Sequence, residues 1–145
     1  MIPASPHPDR AALTRAARLM TKARDAFYER RYEECIERCQ ETLGALLPPE
    51  PPAGPGAPPP TPEEQADRFL GAFAELLPLV EAERIAGVFT FFVRRKARFG
   101  YERGRPLPRR DWWEFLQISR EEASEVLAAA RRALESVQRG GAPLP

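Results

Sequence analysis

Apolar residues recur every three or four positions along most of this chain, the spacing of amphipathic helices rather than of strands. The first run is Leu13, Ala16, Ala17, Met20, Ala23 and Phe27, with Asp9 placed to cap it. A short turn near Arg30 and Arg31 leads to a second run, Tyr32, Cys35, Ile36, Cys39, Leu43 and Leu46. So brief a connection predicts an antiparallel helical hairpin. From Pro48 to Pro62, nine of fifteen residues are proline, a density no helix survives. This stretch reads as an extended, semi-rigid connector between helices, in preference to a ligand for proline-reading domains.

Thr61-Pro62-Glu63-Glu64 restarts the helical pattern: a capping hydroxyl, a proline at the first helical position and a glutamate that can close the capping box. That helix is expected to run through Phe69, Leu70, Phe73, Leu76 and Leu77, until Pro78 breaks or kinks it. A second long apolar segment follows, with Val80, Ile85, Val88, Phe89, Phe92 and Val93. Residues 100–110 read as a loop, and Asp111-Trp112-Trp113-Glu114 as the capped start of a short helix. Ser119 and Glu122 open a last helix with a seam of Ala123, Val126, Leu127, Ala130, Leu134 and Val137, ended by Gly140 and Gly141. The expectation is an all-α, antiparallel up-and-down bundle of four to five helices with a proline-rich crossover linker. It forms one domain over 9–139, between tails at 1–8 and 140–145.

The length of 145 residues fits one domain, and the net charge of +1 means that any electrostatic argument must be local. The start lacks the charged and apolar regions of a secretory signal, and no apolar run approaches the ~20 residues of a membrane span. A cytoplasmic protein is expected. Asn is absent and Arg greatly outnumbers Lys. A thermophilic source and a GC-rich genome both account for that bias. Cys35 and Cys39, one turn apart, supply at most half of a zinc site and are poorly directed for a disulfide, so buried packing is the preferred reading. No metal and no cofactor is expected.

Arg31-Tyr32-Glu33-Glu34-Cys35 leading into Ile36, Cys39, Leu43 and Leu47, and Arg98-Phe99-Gly100-Tyr101 followed by the helix from Ser119 to Val137, together resemble HEPN domains. This is the helical-bundle family named for nucleotide binding in higher eukaryotes and prokaryotes. The resemblance covers most of the chain outside the tail and proline spacer. It implies that Cys35 and Cys39 occupy the small positions where two helices approach closely. One subgroup of that family consists of RNA-cleaving toxins with an Arg, four residues, a His, one residue and a Tyr. Arg94 and Tyr101 fit this register, with Phe99 in place of His. The group expected to do acid–base work is thereby missing, and His7 is the only histidine. What the resemblance implies is therefore a non-catalytic module, dimeric, and paired with a nucleotidyltransferase that modifies Tyr101. The hairpin also resembles a single tetratricopeptide unit, but no second copy follows to bury its face.

From Arg94 to Arg110, eight basic residues face Glu102 alone, beside Tyr101, Trp112 and Trp113. Arginines bind phosphate bidentately and aromatic faces stack bases. Arg94, Arg95, Arg98 and Arg103 are the expected phosphate ligands, and Tyr101 and Trp112 the expected stacking or modification residues, for a nucleotide or RNA. Three blander accounts compete: charge complementing a helix C-terminus, Arg stacked on Trp within the protein, and neutralisation by acids such as Glu33, Glu34, Glu37 and Glu41. In the adjacent pairs Phe91–Phe92 and Trp112–Trp113, one member is expected in the core and the other at a partner or dimer surface. The alternative function is a structural helical adaptor.

Overall fold

The computed structural model describes residues 8–48, 54–98 and 117–140. Asp9 turns its carboxylate onto the Ala12 amide at 2.8 Å, satisfying one of the orphan N–H groups of a helix start. This begins α1 (Arg10–Tyr28). Arg30 then adopts φ 63°, the left-handed conformation that reverses the chain, and α2 (Tyr32–Ala45) returns against α1. The pair forms the expected hairpin and is the most extensively packed in the molecule. Its buried positions are small or medium: Ala16, Ala23 and Ala26 on α1, and Cys35, Ile36, Cys39 and Leu43 on α2, all fully buried. Small side chains let the two backbones approach closely.

Beyond Pro48, residues 54–60 contain no helix. The Ala57 amide donates to the Gly54 carbonyl at 3.1 Å, with Pro55 and Gly56 between and Gly56 at φ 87°. This is a proline–glycine turn of the type that needs a positive φ at its third residue. Arg68 reaches back from the next helix to the Pro48 carbonyl at 2.6 Å, so one side chain ties the linker's start to the bundle.

Thr61 accepts from the Glu64 amide at 3.1 Å and Pro62 occupies the first turn of α3 (Pro62–Ala72). Phe69 stacks on Phe73 at 4.8 Å and on Phe89 at 5.8 Å, filling the space between α3 and α4 (Leu79–Phe89). Two expectations are corrected here. The third helix stops at Ala72, with Phe73 at its C-terminus and a turn leading to Pro78, instead of running through Leu77. Val80 lies 60% exposed outside the core, beside Leu79 at 80%. Pro78, with φ fixed by its ring at −59° and ψ at 152°, is extended and precedes α4, whose first turn lies outside the core.

The second long apolar segment is likewise two helices. Thr90, at φ −95° and ψ 11°, separates α4 from α5 (Phe91–Arg98). Its hydroxyl donates to the Ala86 carbonyl at 2.8 Å. Such back-bonding by a β-branched hydroxyl bends helices. Phe91 is buried, and Phe92 is half-buried and packed on the core, so neither ring is left exposed for a partner.

The last helix, α6 (Arg120–Gly140), opens with the reciprocal capping box read from the sequence: Ser119 N–H to Glu122 and Glu122 N–H to Ser119, both 3.1 Å. It packs against α1, α2 and α4. Ala123, Val126, Ala129, Ala130, Ala133, Leu134 and Val137 form its buried seam, with Leu127 partly buried beside it. Arg120 lies over the Phe27 ring at 5.6 Å, which brings the start of α6 to the end of α1, so the two run antiparallel. The result is an all-α bundle of six helices among the described residues. None of them is long and apolar enough to cross a membrane.

Candidate functional site

The break at Thr90 decides how the basic run begins. It starts a new helix whose first turns lie across the gap between α4 and α6. Arg94 and Arg95 are neighbours in sequence, but 100° apart around α5 they go to opposite environments.

Arg95 points inward and is 8% exposed. Its Nη1 donates to Glu122 at 2.8 Å, its Nη2 to the Gln117 carbonyl, and its guanidinium sits 5.9 Å from the Phe91 ring centroid. A buried guanidinium needs its donors filled and its charge matched, and Glu122 does both while also capping α6. Burial pushes the Glu122 carboxyl up, but the Ser119 amide, the Arg95 charge and the Ser119 hydroxyl together hold it below the ordinary carboxylate value. Glu122 is therefore ionised at neutral pH and is no proton donor. The expectation of Arg95 as a phosphate ligand is corrected in consequence: its charge is spent fastening α5 to the start of α6.

Arg94 points outward. Its Nη2 donates to the Gly87 carbonyl at 3.0 Å across the α4–α5 break. Gly87 is what permits this, because a Cβ there would stand 3.0 Å from the same nitrogen. One donor is used and the exposed guanidinium keeps the rest for solvent or a ligand. It stands at a cleft of about 750 Å³ between α4, α5 and α6, whose floor includes Gly87, Val88, Phe91, Val126 and Ala129. A side lobe of about 230 Å³ is lined by Phe91, Arg94, Arg95 and Glu122.

The rest of the rim is mixed in charge. Arg84 and Arg132 share Glu81 at 3.3 and 3.4 Å, a contact that clamps α4 to α6. Glu83 and Glu125 line the same cleft. Arg94 is the cation there whose only described bond is to an uncharged group. Among the described residues the site offers an apolar floor and three exposed guanidiniums, of which Arg84 and Arg132 are paired with Glu81 and Arg94 is bound to no carboxylate, which suits a small ligand carrying an anionic group and an apolar face.

The cysteines do not contribute. Both are free and fully buried, and the hydrogen bond with Cys35, together with burial, raises the Cys39 thiol far above its ordinary value, so it stays protonated. Among the described residues no group of His, Cys, Asp and Glu is arranged to hold a metal ion. Of the other expected site residues, Arg98 lies in α5 with its side chain outside the described residues. Arg103, Tyr101, Trp112 and the Phe99 position lie outside them entirely, as does the proposed short helix from Asp111. Gly87, Arg84, Arg132 and Glu125 were not expected from the sequence. The available signal was Gly87, standing two helical turns before Arg94. Comparison with protein-family models, curated proteins and solved structures gave no match.

Proposed function

We propose that this chain is a HEPN-like, non-catalytic binding module that takes a phosphate-bearing ligand, a nucleotide or RNA, at the α4–α5–α6 cleft. The observation that carries this is the exposed Arg94 guanidinium hung over Gly87 at the rim of an apolar-floored cleft, while Arg95 beside it is consumed by the fold. A cation available at a concave site with apolar walls is the minimum that phosphate recognition needs. The basic run continues through Lys96, Arg98, Arg103 and Arg105. In this reading the module is a homodimer partnered by a nucleotidyltransferase, in a toxin–antitoxin-like pair where Tyr101 is the residue modified. Phe99, at the motif His, supports binding without RNA cleavage.

The test is calorimetric titration of ADP and of a short 5′-phosphorylated RNA into the full chain at low salt, with Arg94→Ala in parallel. Binding that weakens about tenfold or more in the variant supports the reading, on the scale of one charge-assisted pair. No heat at low salt, or equal affinity in both proteins, removes it. RNA cleaved on long incubation would contradict the non-catalytic part.

A second reading, the structural helical adaptor, is favoured by Leu79 and Val80, exposed side by side at 80% and 60% at the start of α4. Contiguous exposed apolar residues mark protein contacts more often than isolated ones do. A protein that co-purifies with the wild type and is lost on Leu79→Glu/Val80→Glu would favour it.

A further inference from the structure

The first helix carries a second charged surface, on the side away from its packing. Ala16, Met20, Ala23 and Ala26 make its buried edge. Its outer side presents Arg15, Arg18 and Lys22, flanked by Arg10 and by Arg24, which lines the groove between α1 and α6 beside Arg131; every one is exposed. At 100° per residue Arg15, Arg18 and Lys22 fall within a strip of about 60°, along about 10 Å of helix axis, and Arg10 and Arg24 extend the charge to about 21 Å. Exposed Ala11, Thr14, Ala17 and Thr21 lie between them.

None of these five cations forms an ion pair with another described residue, which sets α1 apart. On α2, Arg38 is held by Glu37 and Glu41. On α4 and α6, Arg84, Arg131 and Arg132 each have a glutamate. A helix face built only for solvation alternates its charges and laces them at i,i+3 and i,i+4. Here those spacings join like charges, Arg15 to Arg18 and Arg18 to Lys22, and the one acid of the helix, Asp25, stands three residues after Lys22 without forming an ion pair with it. Such like-charge pairs are destabilising in the free helix, and a polyanion laid along the strip relieves them.

The side chains between the cations choose the polyanion. An interfacial membrane helix sets large apolar residues beside its lysines and arginines; this strip has Ala and Thr instead. Small residues let a phosphate backbone come close, and the Thr14 hydroxyl adds a donor, while that of Thr21 donates to the Ala17 carbonyl at 3.1 Å. A single-strand site stacks bases on successive aromatic rings, and the strip from Arg15 to Lys22 has none. We infer that the outer face of α1 is a docking surface for double-stranded nucleic acid, held through backbone phosphates by Arg15, Arg18 and Lys22, with Arg10 and Arg24 at its flanks. The inference is independent of the cleft reading: it is judged on α1 substitutions alone, so failure of nucleotide binding at Arg94 leaves it standing.

The experiment is fluorescence anisotropy of a labelled RNA duplex, its DNA counterpart and the matching single strand, titrated with the full chain between about 50 and 200 mM salt. Three to five phosphate contacts predict a slope of log affinity against log salt between about −2.7 and −4.5 on duplex. Arg15→Ala/Arg18→Ala/Lys22→Ala should weaken duplex binding at least tenfold at the low-salt end and flatten the slope by about 2.7. Arg15→Lys/Arg18→Lys keeps the charge and should keep the slope, which separates loss of contact from loss of fold. The inference is overturned if duplex does not bind at about 50 mM salt, or if the triple alanine variant binds like wild type. It is also overturned if single strand is preferred, or if anionic phosphatidylserine vesicles bind where duplex does not.

Discussion

Two parts of this molecule are strongly basic and they are built on different plans. The run that starts at Arg94 is dense in sequence, yet its first two members part at once: Arg95 is buried against Glu122 and Gln117, and Arg94 is exposed over Gly87. The cations of α1 are spread over fifteen residues, yet helical geometry gathers three of them on one strip and leaves none paired with another described residue. Density along the chain is thus a poor guide to available charge. What decides availability is the angle each side chain makes with the core and whether an acid stands within reach. A cation near an element boundary, as at the α4–α5 break, is more easily drawn into holding elements together. A cation in the middle of a long, well-capped helix is fixed on the side opposite its apolar stripe.

Substitutions in the two regions therefore separate stability from binding. The largest stability effect should come from Arg95→Ala. It strips Glu122 of its partner and leaves the Gln117 carbonyl without this donor, a loss of about 1–3 kcal/mol in urea unfolding after allowing for the part of Glu122 that water reaches. This difference depends on pH with a definite sign. The folded-state value of Glu122 is depressed, so its contribution is present above the ordinary glutamate value of about 4.3 and fades as pH falls through the lower folded value. Wild type and Arg95→Ala should therefore converge in stability in acid. Curves that stay parallel from neutral pH down to about 3 would show that the pair does not carry the effect.

Next in size is Asp9→Ala, which removes the cap that starts the basic helix and should cost about 1 kcal/mol, read from the same unfolding curves. Gly87→Ala should act in the opposite sense. Alanine favours the helix by about 0.5–1 kcal/mol, and the new methyl displaces the Arg94 guanidinium from the Gly87 carbonyl. A more stable protein with weaker nucleotide binding is the expected result. The smallest effect is Arg18→Ala, which relieves like-charge contacts with Arg15 and Lys22 and should raise stability by roughly 0.2–0.5 kcal/mol at low salt. A loss of stability there would reveal a partner that the described contacts do not contain.

Much of the scaffold was legible in the residues because its signals are local. Asp9, Thr61 and the Ser119–Glu122 box each act within three residues, and each caps the helix it was expected to cap. The hairpin and the apolar seam of α6 follow from a spacing that the sequence displays directly. The division at Thr90 was not legible, because apolar residues continue in register on both sides of it and only the threonine's own back-bonding marks the break. The exposure of Leu79 and Val80 was hidden for a similar reason. Hydrophobicity predicts burial on average, and the first turn of α4, just after the extended Pro78, departs from it.

The candidate site was legible in composition and not in assignment. Arg95 is buried against the habit of its residue type, and the acid that makes this possible lies 27 positions away. Glu122 could be recognised as a cap, but nothing local links it to Arg95. The strip on α1 is the reverse case: its spacings of three and four are displayed in the sequence, but which of its cations lack an acid partner among the described residues depends on the fold.

The most direct test is a titration of the isotopically labelled full chain with a short RNA duplex, following backbone amide and arginine side-chain signals by NMR. Graded shifts are expected at Arg15, Arg18 and Lys22 with the duplex, and at Arg94 when ADP is then added, with the Arg95 side chain and the Glu122 amide unmoved throughout. Shifts confined to other faces, such as the acidic side of α2, or Arg95 responding as strongly as Arg94, would contradict this assignment.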